Sequence, residues 1–415
     1  MDQFSGGGSV CTVGRNGFAH KDLMAIKAGA TSNGFLYDGP TVQPGFTSIV
    51  QPGFVISMML VLEDGSVALG DCLDVIFAGA AGRDRIFLPA EHIDFVNGEV
   101  AEYLTGLDVS TFRANAEAFD AHAFDGGATH MAIRYGVSQA LLHATALANR
   151  CTMAEVIARE YGTTIGTEIL PILVSVAKTD QVLLDRMIMK QVDLLPHASF
   201  TVVETDLGLD GSKLTDFAGM LANRIKEIGA PGYMPRIHLD TYGTVGELFD
   251  NDAAAIVEYL LKIKKIVEPY ALLIESPVIA ETQDKQIEIY RAMRDGIAAR
   301  EGGLKLIVDE WCNTLDDIRL FGAAEAADFV QIKAPDLGGL GNSIEAVIHC
   351  NEIGLGCCLG GTANETDQSS RITTHVGLAC GPDFLLAKPG LGGDEAWMIQ
   401  GNEMARTIAL VHFRA

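Results

Sequence analysis

Hydrophobic and polar positions change rhythm along this chain near residue 165. Before that point, "FVISMMLVLEDGSVALGD" (54–71) alternates as two strands around the turn Glu63-Asp64-Gly65. The first twenty residues alternate poorly and predict no strand. In "GGATHMAIRYGVSQALLHATALANR" (126–150) apolar residues recur at helical spacing, and "TMAEVIAREYG" reads as a continuation of that helix. Strands followed by helices form an α+β pattern. The segment "GTTIGTEIL" (162–170) reads as a linker. The expected division is therefore an α+β capping domain over 1–162 and a second domain over 163–415.

Past the linker, short apolar runs alternate with amphipathic stretches. The runs are "PILVSV" (171–176), "ASFTVVE" (198–204), "PRIHLD" (235–240), "ALLIES" (271–276), "LKLIVDE" (304–310), "DFVQIK" (328–333) and "GCCLGG" (356–361), with a weaker eighth at "DFLLAK" (383–388). Strands that read as buried on both faces, separated by helices, predict a parallel sheet. Eight such units in roughly 245 residues match the ~250 typical of a (β/α)8 barrel. A doubly wound open sheet is the alternative, weakened by the lack of a glycine-rich dinucleotide fingerprint after the first strand.

Composition narrows the partners. Acidic residues outnumber basic ones 54 to 30, a formal net charge of −24 that repels nucleic acid and anionic membranes. No run approaches the ~18 apolar residues of a membrane span. The first residues show no basic segment followed by an apolar one, so a cytoplasmic protein is expected. The eight cysteines include no C-x-x-C pair and are expected to be free thiols. Cys357 and Cys358 point to opposite faces if they lie in a strand. A small-molecule partner fits best.

Candidate chemistry gathers at the ends of the predicted strands, because barrel active sites lie at the C-terminal face. In order these ends carry Asp240, Glu275, Asp309 and Lys333. The acids are 35 and 34 residues apart, one strand–helix unit each, and the lysine follows 24 residues later. One such acid is as readily a helix cap or a solvated loop charge. Three in register cannot all stay charged in a confined mouth unless a cation joins them, and oxygen ligands suit Mg2+. That charge would lower the pKa of Lys333 and make it a base for a proton next to a metal-bound carboxylate. His238 shares a strand face with Asp240, and Gln331 shares one with Lys333. His197 falls near the second strand, where a proton partner and a packed histidine are equally consistent with its spacing. Gly360, Gly361 and Thr362 form a turn whose backbone amides can meet an anion.

These motifs, with "YDGPTVQPGF", "LPHA", "HLDTYGT", "IESP", "DEWCNT", "VQIKAPDLGG", "GGTANET" and "AKPGLGGDE", make the chain similar to the methylaspartate ammonia-lyase family of the enolase superfamily. The resemblance covers nearly the whole length. It implies an α+β cap on a modified barrel, a homodimer, and Mg2+ with a supporting K+. It also implies Asp240, Glu275 and Asp309 as metal ligands, and Lys333 as the base that removes the C3 proton of L-threo-3-methylaspartate. His197 would be the partner on the other face, with Gln331 and Thr362 contacting substrate carboxylates and ammonia leaving C2 to give mesaconate.

Three positions depart from that pattern. Ser175 stands where the family carries a substrate-binding glutamine, Ala363 where it carries a cysteine, and Cys358 where it carries an aromatic. A backbone contact at Ala363 needs no side chain. Losing a group that pairs a carboxylate costs roughly 1–3 kcal/mol, so proton abstraction beside a carboxylate is firmer than the particular substrate. The alternatives are the same metal and base acting on another carboxylic acid, a lysine Schiff-base aldolase that would not need the three acids, and a non-catalytic binding protein.

Overall fold

The structure, a computed structural model, describes residues 6–125 and 129–414. Its first part is built on a three-stranded antiparallel sheet of β1 (Gly6–Lys21), β4 (Val50–Leu62) and β5 (Val67–Cys72), in the order β1-β4-β5. Between β1 and β4, β2 (Thr31–Asn33) and β3 (Leu36–Asp38) form a small hairpin. The β4–β5 hairpin is the one that the alternation predicts. Strand β1 is not predicted: its stretch "GGGSVCTVGRNGFAHK" is rich in glycine, and many of its side chains are exposed. It is held instead by twelve backbone partners along β4, with a register shift between Arg15 and Ala19.

The expected long helix is two helices, Met131–Ala148 and Met153–Tyr161. The break lies at Arg150, whose φ is +52°, and at Thr152, which caps the second helix in a reciprocal box with Glu155. Residues 126–128 of the predicted segment lie outside the described residues. The first helix is buried nearly all round, which suits a central element rather than a surface one. It approaches β5 closely through two glycines: a Cβ on Gly70 would lie 2.2 Å from the Gly136 carbonyl oxygen, and one on Gly136 would lie 2.5 Å from the Cys72 nitrogen.

The second part is a closed barrel of eight parallel strands: β6 (Ile172–Leu173), β7 (Leu194–Ser199), β8 (Arg236–Asp240), β9 (Leu272–Glu275), β10 (Leu304–Val308), β11 (Phe329–Ile332), β12 (Gly356–Leu359) and β13 (Phe384–Leu386). Strand β13 closes on β6 through Leu385–Ile172 and Leu386–Leu173. The fold is therefore the predicted (β/α)8 barrel with an α+β cap. Seven of its strands overlap the predicted runs directly. The second is displaced: the expectation was 198–204, but β7 spans 194–199, and 203–207 is a helical turn. Pro196 lacks an N–H and argues against a strand interior, which hides the buried pair Leu194-Leu195 from the local pattern. A register shift between Pro196 and Ala198 accommodates it against β8.

Inside the barrel, Leu173, Leu194, Leu273, Ile307, Cys358, Phe384 and Leu386 pack as one apolar plug. Cys358 thus faces inward. Cys357, as expected for its neighbour, belongs to the outer core with Cys350. Cap and barrel meet around the segment 360–366. The Ile76 N–H donates to Thr362 Oγ1 at 3.1 Å, Tyr135 Oη to Glu365 Oε1 at 2.8 Å, and Thr366 Oγ1 to Asp71 Oδ2 at 2.5 Å.

Candidate active site

The strands of the barrel stop where the chemistry begins. Asp240 and Glu275 are the last residues of β8 and β9, Asp309 follows β10, and Lys333 follows β11. Residues just past three of these ends adopt backbone conformations that non-glycine residues seldom take: φ is +43° at Tyr242, +46° at Ser276 and +62° at Trp311, and His197, within β7, has +46°. Strain of this kind costs on the order of 1–3 kcal/mol each and gathers at functional sites. At Tyr242, Ser276 and Trp311 it turns the chain off β8, β9 and β10 into the loops above.

All four predicted residues converge. Lys333 Nζ donates to Asp309 Oδ2 at 2.5 Å, with only 12% of its side chain exposed. Asp240 is pushed well above the usual carboxylate range, first by burial and then by the charges of Glu275, Glu310 and Asp309. Glu275 goes the other way. Burial would raise it, but the contacts from His197 and His238 outweigh burial and hold it low. His238 is itself pushed down by burial. The consistent assignment is a neutral His238 donating Nε2–H to an ionised Glu275 at 2.6 Å. Its other nitrogen, Nδ1, has no partner, as that tautomer allows. Gln331 also faces Glu275, with Nε2 3.4 Å from both carboxylate oxygens, while its Oε1 is unpaired. Its face is the one the sequence assigned.

The protein's own groups act on Lys333 in opposite directions. Burial pulls its ammonium down, but Asp309 pulls it up further, and the net position is above the ordinary lysine value.

Where a metal fits can be judged from the donors. Among the described residues, His197, His238 and Glu275 form a cluster whose ligand atoms all lie within 4.8 Å of one another. Two imidazoles and a carboxylate would suit a softer ion than Mg2+, and His238 already spends its Nε2 on Glu275. The acids are better placed: Asp240 Oδ2, Asp309 Oδ1 and Glu310 Oε1 are buried oxygens with no hydrogen-bond partner. Such lone pairs are costly to leave unmet, and a hard divalent cation answers them with oxygen ligands. Asp240 and Asp309 therefore offer free oxygens to Mg2+, with the Glu275 carboxylate beside them.

His197 lies on the opposite wall, with Nε2 3.6 Å from Glu275 Oε2 and 3.9 Å from Asp240 Oδ2. Thr362 is 4% exposed; its N–H donates to Glu365 Oε2 at 3.0 Å, and its hydroxyl accepts from Ile76. Ser175 is spent locally, donating to the His197 carbonyl at 3.3 Å. Ala363 is half-buried in the same segment as Thr362.

Two functional candidates escaped the sequence. Glu310 would face away from Asp309 if β10 continued, but the strand ends at Val308, and both acids turn inward. Its Oε2 accepts from Ser276 at 2.5 Å. Arg83 comes from a cap loop with no periodic signal. Its side chain is 3% exposed, with Nε 2.7 Å from Asp336 Oδ2, Nη2 3.7 Å from Asp309 Oδ1 and Nη1 4.0 Å from Glu310 Oε1. A groove of about 890 Å3 at the opposite end of the barrel carries no comparable cluster: its cations Arg294 and Lys305 already pair with Asp328, and Arg319 with Asp316.

Comparison with known proteins agrees with this geometry. Two family descriptions match, the methylaspartate ammonia-lyase N-terminus over residues 8–162 and the methylaspartate ammonia-lyase C-terminus over residues 164–413. The chain is 43% identical over 403 residues to methylaspartate ammonia-lyase of Clostridium tetanomorphum, covering 97% of this chain and 98% of that one. The crystal structure of beta-methylaspartase from the same organism, as its Mg complex, superposes with a TM-score of 0.91 at 42% identity, covering 99% and 100% of the two chains. The enzyme of Citrobacter amalonaticus containing (2S,3S)-3-methylaspartic acid superposes with a TM-score of 0.94 at 42% identity, covering 98% and 100%. A muconate lactonizing enzyme of Pseudomonas fluorescens shares the fold at a TM-score of 0.61 with 13% identity. The chain belongs to the methylaspartate ammonia-lyase family of the enolase superfamily.

Proposed function

We propose that this protein is a Mg2+-dependent carbon–nitrogen lyase that removes ammonia from L-threo-3-methylaspartate to give mesaconate. The observation that carries the reading is the convergence of Asp240, Glu275, Asp309 and Lys333 at successive strand ends, in a chain 43% identical to a methylaspartate ammonia-lyase.

Lys333 removes the proton from C3. The C–H electron pair becomes the C2–C3 double bond, and the ammonium group on C2 leaves as ammonia. Asp240, Glu275 and Asp309 would hold Mg2+, which would supply positive charge beside the substrate carboxylate; Asp309, engaged in that way, would no longer hold the proton on Lys333. His197, across the mouth, serves the other face. Gln331 presents its amide at the wall beside Glu275, and Thr362 with Ala363 presents the segment that receives a substrate carboxylate. Burial of the mouth keeps water from competing for these contacts.

A second reading has its own observation. Ser175 is bonded to the His197 carbonyl and replaces a longer family glutamine, and Cys358 fills the inner wall where the family has an aromatic. The same metal and base acting on a differently shaped carboxylic acid would suit that wall. Exposed apolar residues on one face of the cap sheet, Val10, Val67 and Leu69, support a homodimer through this face. Eight free cysteines suit a reducing, cytoplasmic setting. No helix among the described residues is long and apolar enough to cross a membrane.

The test is the ultraviolet absorbance of the unsaturated product as purified protein meets 3-methylaspartate, with Mg2+ and then with excess EDTA. Metal-dependent growth is expected. No growth from folded protein that binds Mg2+ would refute the substrate and favour the second reading.

A further inference from the structure

We propose that Arg83 is a positioning residue through which the cap holds Asp309 and Glu310 in their working orientation, at the expense of metal affinity. The inference deepens the lyase reading and rests on it for the identity of the acids.

Five carboxylates surround this corner of the mouth: Asp240, Glu275, Asp309, Glu310 and Asp336. Two cations face them, Lys333 from the barrel and Arg83 from the cap. Arg83 is fixed first by Asp336, which lies three residues beyond Lys333 and binds Nε at 2.7 Å. That anchor leaves the other two nitrogens of the fork pointing at Asp309 and Glu310, at 3.7 and 4.0 Å. These separations are longer than hydrogen bonds, and Nη2, Asp309 Oδ1 and Glu310 Oε1 all lack a hydrogen-bond partner. A guanidinium so placed steers the two acids by charge without tying up the oxygens.

The loop that carries Arg83 is held at several points. The Phe87 N–H donates to Asp74 Oδ2 at 2.7 Å, His20 Nε2 pairs with Asp74 Oδ1, and Asn313 Nδ2 donates to the Ala81 carbonyl at 2.6 Å. Asn313 follows Asp309 and Glu310 in the same barrel loop, so the cap grips that loop at both its acidic start and its middle. A buried cation near a divalent site repels the incoming ion, and what Arg83 offers against that cost is the alignment of the two acids.

The experiment measures Mg2+ binding alone by calorimetry, and separately kcat and KM on 3-methylaspartate, for wild type, Arg83→Gln and Arg83→Lys. Circular dichroism checks the fold of each. Arg83→Gln is expected to bind Mg2+ several-fold more tightly while kcat falls roughly 100-fold, the scale of a small misplacement of reacting groups. Arg83→Lys keeps the charge and loses the fork, so its Mg2+ affinity stays at the wild-type value while kcat falls by a smaller factor. A purely structural role would weaken both together. Mg2+ affinity that drops in step with kcat, or kcat unchanged in both variants, overturns the proposal. Should Arg83→Gln not fold, Arg83→Lys decides: affinity retained with kcat reduced supports it, and any other combination overturns it. Wild-type protein that binds Mg2+ without converting 3-methylaspartate contradicts the lyase reading, and the affinity of Arg83→Gln then decides this inference by itself.

Discussion

Glu365 and Lys388 form an ion pair with neither side chain exposed, 2.9 Å apart beneath the segment that carries Thr362. Every partner around them is polar and fixed. Lys388 Nζ also donates to the Gly360 carbonyl at 2.8 Å, and Glu365 takes hydrogen bonds from Tyr135 and from the Thr362 N–H. A Cβ at Gly361 would fall 1.7 Å from Glu365 Oε2, so glycine there is a requirement of this pair. Removing one partner of a buried pair leaves the other uncompensated. Lys388→Met should therefore lower stability by roughly 3–5 kcal/mol, and Tyr135→Phe by about 1–3 kcal/mol, in denaturant titrations. A loss for Lys388→Met no larger than that of an ordinary surface change would contradict this role. Neither residue was legible in the sequence, because a buried lysine in "LLAKPG" looks no different from one that snorkels to water. Lys333 was legible only because three acids preceded it at strand–helix spacing.

Helices show the same limit at a larger size. The helices Asp367–Cys380 and Gly393–Arg414 are joined by Glu403, which accepts from Arg371 at 2.8 Å and Arg406 at 3.1 Å, with His375 3.3 Å away. The His375 contact, followed by the arginine bonds, outweighs burial and holds the Glu403 carboxyl down from 4.5 to about 2. A depressed acid stabilises the fold fully above its unfolded value and loses that contribution as pH falls through the folded one. Because solvent screens this partly exposed group, Glu403→Gln should cost only about 1–2 kcal/mol at neutral pH, with the gap from wild type closing between pH 4.5 and 2. Equilibrium unfolding across that range measures it, and a gap independent of pH would contradict it. Barrel strands were readable because each is a short apolar run bounded by turns. Strand β7 slipped because Pro196 interrupts it, and β1 was missed because its order comes from pairing with β4 rather than from its own pattern. Pairing of that kind is tertiary and leaves little trace in a local window.

At the scale of the whole molecule, the barrel supplies the acids and the base while the cap supplies Arg83 and the contacts that hold the segment 360–366. The site is complete only where the two meet. A net charge of −24 is spread over the chain, yet the mouth concentrates its own acids around two buried cations, so overall charge said little about the chemistry inside. The arrangement of strands and the convergence of Asp240, Glu275, Asp309 and Lys333 could be read from spacing. The cap's contribution could not, since it depends on one loop reaching across a domain boundary. The central claim is that Lys333 takes the C3 proton, and it is tested by following deuterium at C3 of 3-methylaspartate with Mg2+ present, comparing wild type with Lys333→Ala. Wild type should release the label along with ammonia, while a folded, Mg2+-binding Lys333→Ala should leave both in place. Label lost at the wild-type rate from Lys333→Ala would contradict the account.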